Sequence, residues 1–437
     1  MIRRSVMTWI PLLAVCAGVV ALGSRWSIGS SRPIRIGLLH SRTGAMAISE
    51  RSMIDAEVLE LERLNAQGGL LGRPIEWVIA DGRSDWPTFA REARRLIQDE
   101  KVAVILGCWT SASRKSVRPI VEQYNHLLYY PMAYEGLERS PNIIYTGAAP
   151  NQQIIPTVKW SYDTLKARTF FLVGSDYVWP RCVNAIIKDY ATSVGARVVG
   201  EEYVLFGGSA VAPVIARIKE AHPDVILSSV AGDTNVALYR ELAAQGLGPG
   251  KIPVVSFGIA EDELRTLPVR EMVGDYAAWN YFQSIDRPEN LQFVREFKAR
   301  YGPDRVVSDV MAAAANSVRL WAQAVEEAGT DAVAPVLRAS LHQSLSAPEG
   351  IVSIDPETHH AWRPVSIGRI RADGQFDIVW TSRTSVRPIP YPPTRTHHDW
   401  DRFLGDLYRG WGNHWANPAL ETGTSASYRK EISSSTP

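Results

Sequence analysis

Two segments of this chain concentrate groups that can hold a small molecule. The first is Gly107-Cys108-Trp109-Thr110-Ser111-Ala112-Ser113-Arg114-Lys115. The second is Tyr129-Tyr130-Pro131-Met132-Ala133-Tyr134-Glu135-Gly136. Each follows an apolar run (102–106 and 127–129) that reads as a buried strand. Rings, hydroxyls and a carboxylate therefore gather where strands end and helices begin, which is where open α/β sheets bind ligands. Aromatic faces with few polar groups suit a small, flat, uncharged ligand and do not suit a phosphate or a nucleic acid. Ser111 also has a simpler use, as the cap of the helix that starts there.

Other groups carry no chemistry of their own. The chain lacks a GxSxG elbow, an HExxH pair and a phosphate-binding glycine loop, so no enzyme is expected. The pairs His359-His360 and His397-His398 have no third ligand at a useful spacing, so neither a metal nor a cofactor is expected. Cys108 and Cys182 read as two buried thiols.

The elements that would position these residues alternate in type. Strands are expected at 35–41, 76–80 and 102–107, with helices at 49–65 (Ser49 as N-cap), 86–99 and 113–124. A second series has strands at 169–173, 198–205, 224–230 and 253–257, with helices at 181–193, 212–221 and 235–245. Such alternation predicts α/β architecture with parallel, doubly wound sheets. The segment 276–282 leads to two long helices, 288–300 and 309–328, which would complete the first lobe. Ala372-Asp373-Gly374 joins strands 365–370 and 376–380 as a hairpin, because Asp-Gly supplies the positive φ that a tight turn needs.

The 437 residues exceed one compact domain, and two lobes with tails are expected. With 47 basic and 46 acidic residues the chain lacks the footprint of a nucleic-acid binder. Arg3 and Arg4 precede an apolar run over 6–23, and Ala21-Leu22-Gly23 before Ser24 suits signal cleavage. Export is the expectation, to the periplasm or to an anchored position facing it. An uncleaved anchor is the alternative, since the run is about long enough to span a membrane. Cys16 after Leu13-Ala14-Val15 approximates a lipoprotein signal, with Val15 out of pattern. The Ser/Thr-rich end is expected to be disordered over its last ~20 residues.

Taken in order, the motifs resemble a known family. They include Gly37-Leu38-Leu39-His40-Ser41, Met46-Ala47-Ile48-Ser49-Glu50, Asp81-Gly82, Ser84-Asp85-Trp86-Pro87 and the two segments above. Further along come Ala149-Pro150-Asn151-Gln152-Gln153, Gly174-Ser175-Asp176-Tyr177, Trp279-Asn280-Tyr281-Phe282-Gln283-Ser284 and Ala347-Pro348-Glu349-Gly350. From about 34 to about 390 the chain resembles type I periplasmic binding proteins of the branched-chain amino acid superfamily. Within them it is similar to the urea and short-chain amide branch.

The resemblance implies two lobes joined by three crossovers, with the ligand between them. Lobe one would be 34–149 plus 280–345. Lobe two would be 150–279 plus 346–390, leaving 1–33 as signal or anchor with a linker and 391–437 as a C-terminal extension. It implies a site of Trp109, Ser111, Tyr130, Met132, Tyr134, Tyr177, Asp233 and Asn235. Ser111 and backbone N–H groups would donate to a carbonyl, Asp233 or Glu135 would accept from amide nitrogens, and Trp109 with Tyr130 would sandwich the plane. Asp233 alternatively caps a helix, and Glu135 alternatively has a structural role. Met132-Ala133 departs from the residues usual in that branch, which favours a short-chain amide over urea if Met132 lines the site. The implied function is capture of urea or an amide for an ABC permease. A receptor that signals amide or urea to a regulatory or membrane-sensor partner is the alternative.

Overall fold

The computed structural model describes residues 32–205 and 207–418. The expected export segment up to residue 31 and nearly all of the expected disordered end lie outside the described residues.

Lobe one begins with β1 (Ile34–His40), α1 (Ala47–Ala66), β2 (Ile75–Asp81), α2 (Trp86–Gln98), β3 (Val104–Gly107), α3 (Ser111–Gln123), β4 (Leu128–Tyr130) and β5 (Ile143–Tyr145). Its five strands are parallel in the order β2-β1-β3-β4-β5. β1 is buried at six of its seven positions, as a central strand covered on both faces must be.

Two helix starts differ from expectation. α1 begins ahead of Ser49, because Gly44 at φ +86 turns the chain and its carbonyl already accepts from Ala47 N–H. Ser49 and Glu50 thus lie in the first helical turn. α3 is capped by Thr110, whose hydroxyl accepts from Ser113 N–H at 3.0 Å, so Ser111 is not the cap.

Lobe two comprises α4 (Ile154–Asp163), β6 (Thr169–Ser175), α5 (Val178–Ser193), β7 (Arg197–Val204), α6 (Ala212–Ala221), β8 (Val225–Ser229), α7 (Thr234–Ala244), β9 (Val254–Ser256), α8 (Glu261–Leu264) and β10 (Tyr276–Trp279). The chain then returns to lobe one with α9 (Pro288–Tyr301), α10 (Asp309–Ala328) and α11 (Val333–Ser340). A small antiparallel sheet follows, β11 (Ser344–Ala347), β12 (Gly350–Ile354) and β13 (Ala361–Trp362). The hairpin β14 (Ser366–Ile370) and β15 (Phe376–Thr381) adds antiparallel strands to the second sheet, giving β15-β14-β10-β9-β8-β6-β7. α12 (His397–Gly410) lies in the C-terminal extension.

The small sheet corrects one boundary. Val352, Ile354 and Ala361 share a core with Ile36, Leu38 and Leu106 of lobe one and Trp321 of α10. Residues 346–362 therefore belong with lobe one, and the last crossover falls near Arg363-Pro364-Val365. Packing of β11 on α10 and the bridge from Tyr145 of β5 to His360 decide this, and the sequence gives no sign of which sheet those short strands join. Among the described residues, no helix is long and apolar enough to cross a membrane.

Candidate functional site

Both lobes repeat one strand order. Lobe one runs 2-1-3-4-5, and the parallel part of lobe two, β7-β6-β8-β9-β10, is the same order again. Such a sheet has a crevice where the order reverses, at the carboxyl ends of its first and third strands. In lobe one that crevice lies between β1 and β3 and is flanked by Ser41–Glu50 on one side and Trp109 on the other. In lobe two it lies between β6 and β8 and is flanked by Tyr177 and by Asp233 with Asn235.

The crevices face each other at close range. A methyl group built on Gly232 of lobe two would sit 3.6 Å from the Ala45 carbonyl oxygen and from Met46 Sδ of lobe one. Trp109, Ser111, Tyr130, Met132, Tyr134, Tyr177 and Asn235 are each at most 3% exposed, whereas Asp233 is exposed. The topology thus brings Trp109, Tyr177, Asp233 and Asn235 to the two crevices, with Tyr130, Met132 and Tyr134 one strand further out after β4.

The polar groups divide into those already engaged and those left over. Arg114 is fully buried. Its guanidinium donates to Glu135 at 2.9 Å, to Glu138 at 3.0 Å and to the Ser111 hydroxyl at 3.1 Å. It also stacks over Tyr134 and Tyr130 at 4.3 and 4.8 Å. Lys115 Nζ reaches Glu138 at 3.1 Å. Burial works against the Glu138 carboxylate, but Arg114, Lys115 and Arg118 hold its pKa well below the usual range. Arg114, Lys115 and Arg118 thus meet Glu135 and Glu138, and Arg118 also pairs with Glu122 at 2.8 Å.

This cluster consumes several residues expected at the ligand. The Ser111 hydroxyl donates to Glu135 rather than to a carbonyl, which makes Glu135 structural. Tyr130 OH donates to the Trp109 carbonyl at 2.8 Å. Tyr134 OH bonds His360 Nε2, and the His360 Nδ1–H donates to the Thr358 carbonyl at 2.6 Å. Burial lowers the His360 pKa to about 3, so the ring is neutral and Nε2 is the acceptor. His360, Tyr145 and Tyr134 form a continuous stack. This use of His360 is not legible in the sequence, because Tyr134 and Tyr145 lie more than 200 residues away.

Among the buried polar groups without partners, several stand at the switch points. Trp109 Nε1 is a buried donor without an acceptor, and Asn235 Oδ1 is a buried acceptor without a donor. Asn235 is fixed by its amide, which donates to the Val230 and Gly232 carbonyls at 3.2 Å. Asp233 occupies the N-cap position of α7, but its side chain makes no capping bond, and burial raises its pKa. Burial raises the Tyr177 pKa well above the usual tyrosine range. Three further groups are buried without partners: Glu50 Oε1, Trp179 Nε1 and the Thr234 hydroxyl. Met46-Ala47-Ile48-Ser49-Glu50 was the available signal, since it directly follows β1.

Residues 34–397 match the periplasmic binding protein domain, and the chain belongs to that family. Proteins of the family bind solutes and are not enzymes. The chain is similar to a leucine-, isoleucine-, valine-, threonine- and alanine-binding protein of Pseudomonas aeruginosa, with 23% identity over 339 residues, 74% of this chain and 86% of that protein. It is also similar to a protein of Geobacillus stearothermophilus named limonene hydroxylase, 39% identical over 124 residues. That match takes in 28% of this chain and only 22% of that protein's length. Among solved structures, a solute-binding protein of an ABC transporter from Rhodopseudomonas palustris, in complex with p-hydroxybenzoic acid, has a TM-score of 0.73 at 22% identity. The match covers 81% of this chain and 98% of that one.

Proposed function

We propose that this periplasmic binding protein captures urea or a short-chain amide between its lobes and presents it to an ABC permease. The observation that carries the reading is the set of unpaired groups at the switch points. Trp109 Nε1–H is left to donate and Asn235 Oδ1 to accept, while the nearby cations Arg114 and Lys115 are neutralised by Glu135 and Glu138. A planar neutral ligand with one carbonyl and several N–H groups satisfies both kinds. An aromatic or amino acid brings a carboxylate beside Asp233 and Glu50, with the cations of that cluster already spent.

Selectivity follows from the same groups. A buried donor or acceptor left unmatched costs about 1–3 kcal/mol, so an analogue without the carbonyl or the N–H groups is rejected. Contacts made only when both crevices meet stabilise the closed arrangement, and a permease reads closure as occupancy. The resemblance to the urea and amide branch and the expected export segment support delivery from the periplasm.

The experiment is a thermal melt of the purified protein with urea, acetamide, propionamide, formamide, leucine and 4-hydroxybenzoate, because a ligand that binds only the native state raises its stability by mass action. A saturating shift with urea or one amide supports the reading. A shift with leucine or 4-hydroxybenzoate alone refutes it.

A further inference from the structure

Glu50 is fully buried in the first turn of α1, at the carboxyl end of the central strand β1. One carboxylate oxygen, Oε2, accepts from Ser41 N–H, and the other, Oε1, has no partner. Beneath it lies His40, also fully buried. The ring's Nε2 is 3.0 Å from both oxygens of Glu57, and Nδ1, itself without a hydrogen bond, is 3.9 Å from Glu50 Oε2. The structural carboxylates nearby look different. Glu135 and Glu138 have both oxygens engaged by cations or hydroxyls. Glu261 also has an unpartnered oxygen, but it lies at a crossover beside Gln283, away from the switch points.

An ionised carboxylate in such a place must be compensated or must complete its hydrogen bonds with something that enters. The switch point of lobe one supplies the location: Glu50 follows β1, and Trp109, with its own unpaired N–H, follows β3. We infer that Glu50 is a ligand-contacting residue whose Oε1 accepts an N–H of the bound urea or amide, with His40 as a positioning residue whose ring steadies its charge and Glu57 holding that ring. This inference rests on the proposed urea or amide function. It adds an anionic acceptor to the site and so selects for ligands carrying a primary amide nitrogen, against esters and ketones of the same shape.

The charged and titratable groups facing Glu50 are His40 at the end of β1, Asp81 at the end of β2, Cys108 after β3 and Glu57 on its own helix. Burial, with a smaller push from Asp81, lifts the Glu50 carboxyl to about 7, against the pull of His40 and of the Ser41 N–H and hydroxyl. Burial also opposes the charged form of His40, yet Glu57 and Glu50 raise its pKa. An N–H donor arriving at Oε1 favours the ionised carboxylate, so ligand binding drives a proton off.

The test is calorimetric titration of the full-length protein and of Glu50→Gln with urea, acetamide, formamide and propionamide. Each is run in buffers of different ionisation enthalpy at about pH 6 and about pH 8, either side of the Glu50 value near 7. The expected result is proton release by the wild type at the lower pH only, and no release by Glu50→Gln, with affinity reduced about tenfold or more. In His40→Gln, release persists to higher pH, because the carboxyl has lost its nearest cation; a residue that only fills space would not move that profile. If the wild type binds one of these ligands and Glu50→Gln binds it equally well, the role of Glu50 is overturned and the function stands. If the wild type binds none of them, the function and this inference fall together. Should Glu50→Gln not fold, the absence of proton release by the wild type at the lower pH overturns the inference by itself.

Discussion

Asn280 Nδ2 donates to the Pro364 carbonyl at 2.6 Å, and its second hydrogen goes to the Gln152 carbonyl at 3.0 Å. These three residues lie on the three chain segments that pass between the lobes, so one buried amide ties all the crossovers together. Arg363, next to Pro364 and fully buried, pairs with Asp309 at 3.0 Å and Glu349 at 2.8 Å, anchoring the same knot to α10 and the small sheet. Rupturing this knot would leave carbonyls and charges buried without partners.

Asn280→Ala is therefore expected to be destabilising, by about 1–3 kcal/mol for each carbonyl left unpaired. Guanidinium unfolding monitored by circular dichroism measures it. Small-angle scattering should also show a broader distribution of lobe separations than in the wild type. An unchanged midpoint would mean that the knot contributes nothing.

The cluster around Arg114 makes a stronger prediction. Removing one carboxylate leaves a fully buried guanidinium undercompensated, and breaking a buried pair in this way costs about 3–5 kcal/mol. Glu138→Gln should lower the unfolding midpoint more than Glu122→Gln does, because Glu122 pairs with a half-exposed Arg118. Comparable midpoints for the two variants would refute the assigned importance of burial.

Stability should fall as pH rises toward 8. Burial raises the carboxyl of Asp275 to about 8 and that of Glu261 to about 8, while Glu263 and Glu50 rise to about 7. A carboxyl raised by folding binds its proton more tightly in the native state. Its contribution is complete below the unfolded value and is lost as pH climbs through the folded one, at up to about 1.4 kcal/mol per pH unit for each group. Asp275→Asn keeps an acceptor for Val254 N–H, which now meets Asp275 at 2.9 Å, and has no charge to bury. Its guanidinium midpoint should decline less than that of the wild type between about pH 6 and pH 8. A parallel decline would show that Asp275 is not among the groups responsible.

The C-terminal extension is attached at both lobes. Just before it, the Pro390 carbonyl accepts from Leu137 N–H of lobe one at 2.8 Å. Arg395 grips Asp189 of lobe two through two bonds of 2.6 and 2.8 Å, and the fully buried Trp400 donates to the Pro392 carbonyl at 2.9 Å. Beyond α12, Ala416 pairs with Tyr177 and Trp415 lies under Lys115 Nζ at 4.8 Å. Trp400→Ala removes the anchor of this segment, at a cost of about 3–5 kcal/mol to its docking. Limited proteolysis should then cut after residue 390 and leave a resistant body. Wild-type resistance in the variant would show that the anchor lies elsewhere.

The alternation of apolar runs and helix periods was enough to specify α/β lobes, because a parallel strand buried on both faces leaves a continuous apolar signature. The Asp-Gly turn between β14 and β15 was equally legible, and Gly374 has the expected positive φ of +75. Trp109, Tyr177 and Asn235 could be placed at strand ends because that position is local to the sequence.

Their partners could not be placed in the same way. Whether Ser111 offers its hydroxyl outward or gives it to Glu135 depends on a carboxylate 24 residues away. Tyr134 is claimed by His360, 226 residues on, and only the fold buries Glu50 beside His40. Hydrogen bonds between distant segments form only after the strands have been ordered. The sequence by itself determined which residues stand at the carboxyl ends of the strands; the tertiary structure alone decided which of their polar atoms are consumed by neighbours and which are left for a ligand.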